Sequence, residues 1–308
     1  IKSSAASDVY KRQVYNGERY ISACLYSLLK QTYTDWQAIL INDGSTDNSL
    51  SILQSFAKGD PRFVVCSQNN QGVAIARDRG IKEAQGEYIS FLDIDDTLVS
   101  DFLEKFICHF EKNVDIVIAG YHVIRKNKKV KKQEANVTLE KIDYLKKVLS
   151  GKYGWELWAK VYRKELFDEP MSIPCHLRIG EDATVYMQLV ARSYKVKIIN
   201  EALYNYIQYP SSASHQRSVS LAEETLQAAF YIDHLLKKES FYKEIRDEID
   251  AMYLLFYSNS TRKAFLRLSH PLIYQVYQEH YSLRALKMLP LFKSIYISLS
   301  LLLRKALS

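Results

Sequence analysis

Three carboxylates follow a short apolar stretch in the first third of the chain. Asp93, Asp95 and Asp96 come directly after Tyr88–Leu92. Like charges a few ångströms apart raise one another's pKa or bind a divalent cation, and Mg²⁺ or Mn²⁺ binds carboxylates together with substrate phosphates. The sequence therefore predicts metal-assisted chemistry on a phosphorylated substrate. The alternative is that these residues only end a strand and cap the helix that begins near Asp101.

A second polar motif ends another apolar run. Ala38–Ile41 is continuously apolar, which is typical of a strand buried on both faces of a parallel sheet. It leads into Asn42-Asp43-Gly44-Ser45. Ligands of open α/β sheets bind at the carboxyl ends of strands, so we expect Asp43 to face a ligand.

A third predicted strand, 63–66, precedes a segment in which small residues recur at every fourth position. Gly72, Ala76 and Gly80 would lie on one face of a helix and allow it to approach the sheet closely. That arrangement would leave Arg77 facing the ligand edge. Core packing explains the same pattern equally well.

Four motifs in this order and spacing resemble glycosyltransferase family 2: Tyr15-Asn16, Asn42-Asp43-Gly44-Ser45, Asn70-x-Gly72 with Ala76-Arg77, and Asp93-x-Asp95-Asp96. The resemblance implies an α/β protein of the GT-A fold, with a Rossmann-like, mostly parallel central sheet flanked by helices. It also implies an inverting transferase that uses a nucleotide sugar, with UDP favoured as the nucleotide. Its cofactor would be Mn²⁺ or Mg²⁺.

The resemblance assigns a role to each matching position. Tyr15 would pack on the uracil or ribose, and Asp43 would accept a hydrogen bond from the base. Asp95 would hold the metal that bridges the two phosphates, and Asp93 would contact the ribose or the metal shell. Arg77 would assist with the phosphates.

A second acidic pair, Glu181 and Asp182, opens a predicted helix. Acidic residues in the first turn of a helix interact favourably with its dipole, typically by about 0.3–1 kcal/mol, which is a sufficient structural explanation. Family members carry the catalytic base at this place. The resemblance therefore implies Asp182 as the base that deprotonates an acceptor hydroxyl, with Glu181 as a neighbouring acceptor or orienting residue.

Two other interpretations belong to different classes of protein. Asp93–Leu98 also resembles the nucleophile motif of haloacid-dehalogenase-type phosphatases, in which Asp93 would attack phosphorus and Asp95 would transfer the proton. That interpretation explains only the last of the four motifs. A non-catalytic protein of the membrane surface is the third possibility.

Composition limits the class of protein and its partners. The chain has 308 residues, 47% of them hydrophobic, which is enough for about two domains. Its four cysteines and seven histidines show no metal-ligand spacing, which favours a reduced, cytoplasmic protein. The net charge of +7 is concentrated in segments such as 125–132, a predicted hairpin tip, and no nucleic-acid recognition motif accompanies it.

The carboxyl-terminal third has a helical pattern from about Ser218. Leu283–Ser308 contains five basic residues and no acidic residue. The uncharged run between Lys293 and Arg304 is too short to span a bilayer, so an interfacial helix on anionic lipid is one interpretation. Such a protein would be peripheral on the inner face of the plasma membrane, with a glycan or lipid-linked acceptor. A basic helical hairpin packed on the catalytic domain is the other interpretation.

Three regions are thus expected. Residues 1–13 are an atypical, polar amino-terminal segment without strand alternation, artefactual or truncated, where relatives would have an apolar strand. Residues 14–217 are the predicted GT-A catalytic domain, and residues 218–308 are the helical carboxyl-terminal region.

Overall fold

A computed structural model of the protein describes residues 7–125, 128–132, 135–174, 177–209 and 216–306. Ten strands in these ranges form one sheet: β1 (Ser7–Val14), β2 (Trp36–Asp43), β3 (Phe63–Gln68), β4 (Tyr88–Leu92), β5 (Thr97–Leu98), β6 (Val114–Arg125), β7 (Lys128–Lys132), β8 (Val137–Glu140), β9 (Lys160–Arg163) and β10 (Lys195–Ile207). The helices are α1 (Glu18–Leu29), α2 (Ser49–Gly59), α3 (Val73–Glu83), α4 (Phe102–Ile107), α5 (Lys141–Leu149), α6 (Glu181–Arg192), α7 (Val219–Leu236), α8 (Arg246–Thr261), α9 (Pro271–His280), α10 (Leu283–Met288) and α11 (Leu291–Ala306).

The sheet is mixed, and its order is β3-β2-β1-β4-β9-β6-β10-β5, with β7 beside β6 and β8 beside β10. Strands β3, β2, β1 and β4 are parallel. Strand β9 is antiparallel to both of its neighbours. The predicted α/β class is confirmed. The carboxyl ends of β1, β2 and β4 meet at one edge of the sheet because these strands run in the same direction.

The prediction that the amino-terminal segment lacks a strand is wrong. Ser7–Val14 is a central strand, paired with β2 from Ser7↔Trp36 onward and with β4 from Ser7↔Tyr88 onward. Backbone hydrogen bonds to two neighbouring strands depend little on side-chain alternation, so tertiary pairing outweighs the polar sequence. Residues 1–6 of that segment lie outside the described residues.

Two compact units make up the chain. The first contains the described residues of 1–139, 157–171 and 193–210, and includes the sheet. The second contains those of 140–156, 172–192 and 211–308, and is helical. Because each unit is assembled from separated segments, the packing does not follow one boundary in the chain. The domain limits at residues 13/14 and 217/218 stay a prediction.

The core of the first unit follows the predicted patterns. The helical spacing of Ile21, Leu25, Leu28 and Leu29 predicts a buried face of α1; the first three are fully buried, whereas Leu29 is 37% exposed. The β2 run that includes Leu40 is fully buried as well. Burying each large aliphatic side chain contributes roughly 1.5–3 kcal/mol. This packing fixes α1 on the sheet and thereby fixes the loop that precedes it.

Two further expectations are confirmed. The basic segment 125–132 is exposed and belongs to an antiparallel hairpin of β6 and β7, with residues 126 and 127 outside the described residues. The carboxyl-terminal third is helical from Val219 onward. In the described part of the chain, no helix combines the length and the apolar character needed to cross a membrane.

Candidate active site

The three carboxylates lie together in the turn between β4 and β5. Oxygen atoms of Asp93, Asp95 and Asp96 are all within 4.8 Å of one another. The backbone N–H of Asp96 donates to the carbonyl oxygen of Asp93 at 3.1 Å, which closes the turn. Asp93 and Asp95 are half-buried, whereas Asp96 is buried.

Asp96 is held by strand β10. Its Oδ2 accepts a hydrogen bond from the Tyr204 hydroxyl at 2.7 Å, and its Oδ1 accepts one from the Ile207 N–H at 2.7 Å. Burial raises the pKa of Asp96 to about 9, and the charges of Asp93 and Asp95 act in the same direction, although both hydrogen bonds oppose the shift. Asp96 is thus a bracing residue, and Asp93 and Asp95 are the more accessible pair.

Tyr204 is a site residue that sequence reasoning missed. Its hydroxyl accepts from the Asp93 N–H at 3.2 Å while it donates to Asp96, so one buried oxygen connects both ends of the turn. The ring stacks on Trp158 at 4.9 Å between centroids. The only sequence signal was a tyrosine in an apolar run more than a hundred residues away, and that signal does not identify a partner.

The donor set of the turn fits a hard divalent cation. Its oxygen atoms are carboxylates within a single ion's reach, which is the ligand type that Mg²⁺ and Mn²⁺ prefer. After burial, the charges of Asp93 and Asp95 are the next causes of the raised pKa of Asp96, and a bound cation would oppose them. Asp93 and Asp95 are the residues that would hold the ion.

Asp43 lies at the carboxyl end of β2, fully buried. Its Oδ1 accepts from the Gln68 side chain at 2.8 Å and from the Gln71 N–H at 2.9 Å, and its Oδ2 accepts from the Gly72 N–H at 2.9 Å. These hydrogen bonds fix the loop before α3 on the end of β2.

Hydrogen bonds join the loop after β1 to the loop after β2. The side-chain oxygen of Asn16 accepts from the Thr46 N–H at 2.8 Å, and the Asn16 N–H donates to Ser45 Oγ at 3.1 Å. Ser45 Oγ donates in turn to the carbonyl oxygen of Val14 at 3.2 Å. Asn16 adopts a left-handed conformation, with φ of 50°, which asparagine tolerates better than most residues. The Tyr15-Asn16 and Gly44-Ser45 motifs therefore form one structural unit.

Gly44 has no room for a side chain. Its φ is +71°, and a Cβ atom there would lie 2.7 Å from the backbone nitrogen of Asn70. The loops after β2 and β3 thus meet at backbone distance, which only glycine permits. Similarly, a Cβ on Gly17 would lie 3.3 Å from Ile94, so the loop after β1 reaches the acidic turn.

Two predicted nucleotide-binding residues differ in exposure. Tyr15 is 49% exposed beside the end of β1, so its ring is open to a ligand. Arg77 is 1% exposed, so its side chain is buried, and its place beside the phosphates stays a prediction. The small residues of α3 bring this helix close to β1 and β2, and that close approach buries the arginine as well.

The acidic pair of the second unit begins α6. Glu181 is buried, and Asp182 is half-buried. The preceding loop is tied to α7, since the Arg178 N–H donates to Glu224 Oε2 at 2.9 Å and Nε donates to Glu224 Oε1 at 3.0 Å. Although burial opposes it, hydrogen bonds from Arg178 and Ser220 hold the pKa of Glu224 below its ordinary value.

Gly180 also holds the loop before α6 against α7. Its φ is +92°, and a Cβ atom would lie 2.5 Å from the Cβ of Ala228 on α7. The backbone immediately before Glu181 therefore rests directly on α7. The start of α6 is set by packing as well as by the ion pair between Arg178 and Glu224.

Parallel strands with carboxylates at the ends of β2 and β4 fit the GT-A fold that the resemblance implies. The family model described as glycosyl transferase family 2 matches residues 13–170. The chain belongs to this family. Membership accounts for all four motifs, including the three that the phosphatase interpretation leaves unexplained.

Curated relatives agree with this assignment. Glycosyltransferase EpsJ of Bacillus subtilis is 33% identical over 70% of this chain and 65% of its own length. EpsH of the same organism is 31% identical over 79% of this chain and 72% of its own length. The teichuronic acid biosynthesis glycosyltransferase TuaG, also of B. subtilis, is 30% identical over 62% of this chain and 75% of its own length.

Solved structures share the fold. TarS residues 1–349 of S. aureus, in complex with UDP-GlcNAc, matches with a TM-score of 0.69 and 17% identity, over 96% of this chain and 88% of that one. The mannosyltransferase PcManGT of Pyrobaculum calidifontis, in complex with GDP-Man and Mn²⁺, matches with a TM-score of 0.57 and 13% identity, over 97% and 86%. At these identities the likeness establishes the architecture alone.

Proposed function

We propose that the protein is an inverting, metal-dependent glycosyltransferase that moves a sugar from a UDP-sugar to a hydroxyl of a cell-surface polysaccharide or glycolipid. The observation that carries this proposal is the acidic turn after β4, at the edge where β1 and β2 also end, in a chain of glycosyltransferase family 2. The name of TuaG, which refers to teichuronic acid biosynthesis, supports a polysaccharide product.

Tyr15 and Asp43 would form the nucleotide end of the donor site. Tyr15 presents an exposed ring that suits stacking on uracil or ribose. Asp43 ends β2 and accepts from the backbone N–H groups of Gln71 and Gly72, which fixes the loop where the base would lie, and it would accept a hydrogen bond from the base. UDP in a TarS complex and GDP-Man in the PcManGT complex support a nucleoside diphosphate as the ligand class.

Asp93 and Asp95 would hold Mg²⁺ or Mn²⁺ beside the diphosphate. The bound ion would neutralise the negative charge that grows on the leaving phosphate, which favours the transition state over the ground state. Mn²⁺ in the PcManGT complex supports this choice of cation. Asp96 and Tyr204 would keep the turn in shape without contacting the donor.

In the second unit, Asp182 would act as the general base. It would take the proton of the acceptor hydroxyl as that oxygen bonds to the anomeric carbon, while the bond from this carbon to the diphosphate oxygen breaks. Glu181 would orient the acceptor or the base. Arg178, Gly180 and Glu224 would hold the start of α6 in place for this task.

The test is calorimetric titration of the protein with UDP, with and without Mn²⁺. We expect binding that requires both the metal and Asp95, so that Asp95→Ala abolishes it. Asp35→Ala is the matched control, because Asp35 is an exposed carboxylate outside the acidic turn. UDP binding that is equally strong without metal, or in Asp95→Ala, would refute the metal-dependent part of the proposal.

Titration with GDP under the same conditions tests the identity of the nucleobase. Stronger binding of GDP than of UDP would replace uracil by guanine in the proposal and leave the metal site intact. A trapped phospho-aspartate at Asp93, with no nucleotide binding, would instead favour the phosphatase interpretation.

A further inference from the structure

Helix α11 is apolar on two opposite faces. One face carries Ile297 and Leu301, which are 0% and 2% exposed, and the helix packs against α8 and α10 of the second unit. The hydroxyl groups of Tyr257 on α8 and Ser300 on α11 are hydrogen-bonded at 2.9 Å. This face is ordinary core, and it fixes the orientation of the helix.

The opposite face is apolar and exposed. We call it the apolar stripe, and its seven large side chains are between 42% and 76% exposed: Leu291, Phe292, Ile295, Tyr296, Leu299, Leu302 and Leu303. At about 100° per residue these positions cover an arc of roughly 140°, without a polar residue inside it. A contiguous exposed apolar surface of this kind marks an interaction site.

The charge of the segment that carries the stripe favours one kind of partner. The sequence of Leu283–Ser308 contains five basic residues and no acidic residue: Arg284, Lys287, Lys293, Arg304 and Lys305. Lys287 is exposed, and Arg284 forms an ion pair with Asp247 of α8. Basic residues beside an apolar helix face are attracted to anionic lipid headgroups, by about 5-fold in affinity for each charge near the surface. We propose that the apolar stripe of α11 docks this protein on the surface of an anionic lipid bilayer, with the helix lying in the plane of the interface.

Two features disfavour the other occupants. A second copy of the chain on the same stripe would bring together two basic segments that lack any acidic residue, and like charges in contact oppose association. A membrane-spanning arrangement is disfavoured because Ile297 and Leu301 pack inside the second unit, and α11 is only 16 residues long. An interfacial position leaves that inner packing intact.

Co-sedimentation with vesicles tests the proposal. The probes are vesicles of phosphatidylcholine alone and vesicles of phosphatidylcholine with one third phosphatidylglycerol. We expect binding to the anionic vesicles only, and we expect it to weaken strongly in 0.5 M salt because screening shortens the reach of the charges. No nucleotide is present, so the result is independent of the proposed transferase activity.

Variants separate the two contributions to binding. Leu299→Gln combined with Leu302→Gln removes two exposed stripe residues and should weaken vesicle binding at least tenfold, since burial of each leucine is worth about that factor or more. Val219→Gln combined with Tyr274→Gln is the matched control, because both residues are exposed and lie on other helices. Lys287→Gln, at an exposed position of α10, should weaken binding about 5-fold.

Three results would overturn the proposal. The first is the absence of binding to either type of vesicle, in a protein whose circular dichroism shows that it is folded. The second is equal binding by the stripe variant and its control. The third is a concentration-dependent dimer in sedimentation analysis that the stripe variant abolishes, which would identify a second copy as the occupant.

Discussion

At the scale of single residues, the acidic turn contains two kinds of carboxylate. Asp93 and Asp95 are half-buried, whereas Asp96 is buried and both of its oxygens accept hydrogen bonds from β10. This division has a physical reason, since carboxylates within 4.8 Å of one another repel when ionised, and burial together with that repulsion raises the pKa of Asp96. We therefore expect the residues that hold the acidic turn in place to affect metal-dependent UDP binding.

Tyr204→Phe tests the bracing. The change removes one hydroxyl and leaves the Asp96 carboxylate and the Asp93 N–H without that partner, which should cost about 1–3 kcal/mol of unfolding free energy. Because the turn is then less well held, metal-dependent UDP binding should also weaken. Urea denaturation and calorimetry measure the two effects. Tyr194→Phe, at a 69% exposed position, is the control and should change neither.

Asp182→Asn tests the proposed base. Asparagine keeps the size of the side chain but does not take up a proton, so transfer should fall by about 10²–10⁴-fold while UDP binding stays unchanged. The measurement is transfer of radiolabelled sugar from a UDP-sugar to a glycan or lipid acceptor fraction, beside calorimetry. Asp143→Asn, an exposed carboxylate in α5, is the control. Full transfer by Asp182→Asn would show that another group is the base.

At the scale of elements, loops rather than strands determine the geometry of the candidate site. The loop after β1 is hydrogen-bonded to the loop after β2, and the latter meets the loop after β3 at Gly44. Three loops from different parts of the sequence thus meet at one edge of the sheet. Such an edge needs close backbone approach, and glycine is the residue that allows it.

Three glycine substitutions separate the energetic cost of a positive φ from the cost of a steric clash. Gly72→Ala meets nothing within 4 Å but has φ of +88°, so it should lose about 1–2 kcal/mol. Gly44→Ala has the same conformational penalty and also places Cβ 2.7 Å from backbone, so it should lose more. Gly59→Ala meets neither obstacle and should be neutral within about 1 kcal/mol. Urea denaturation gives the order, and equal losses for Gly44 and Gly72 would contradict the close approach.

At the scale of the whole molecule, a buried acid contributes to the stability of the helical unit. Asp233 of α7 accepts from the hydroxyls of Tyr242 at 2.6 Å and Tyr253 at 3.0 Å, and Lys237 lies 3.0 Å away. Although burial opposes it, these partners hold the pKa of Asp233 below its ordinary value. A depressed folded-state pKa stabilises the protein above the unfolded value of about 4, and that stabilisation is lost as the pH falls through the folded value.

Asp233→Asn tests this linkage. At pH 7 the substitution should cost about 1–3 kcal/mol, because the amide replaces one acceptor oxygen by a donor that faces the tyrosine hydroxyls. At pH 3, below the unfolded value of about 4, the difference from the unsubstituted protein should shrink, since the stabilisation by a depressed pKa is lost as the pH falls towards the folded value. Urea denaturation at both pH values measures the change. A difference that stays constant or grows at low pH would contradict the direction of the shift.

Local pattern made much of the fold and the family predictable from sequence. The apolar run 38–41, the helical spacing of Ile21, Leu25 and Leu28, and the spaced acidic motifs are all short-range features. Each depends on a few consecutive residues, and the structure confirms the strand, the helix and the acidic cluster. Sequence also indicated the helical carboxyl-terminal third and its excess of basic residues.

The sequence by itself determined the order of the motifs and the residues able to hold a cation. These features depend on residues that are neighbours in the chain. Only the tertiary structure decided that the polar segment Ser7–Val14 is a central strand, that Arg77 is buried, and that Tyr204 braces Asp96 from 108 positions away. It also decided which side of α11 stays exposed. The physical reason is that pairing, burial and bracing depend on partners distant in the chain, which no local pattern specifies.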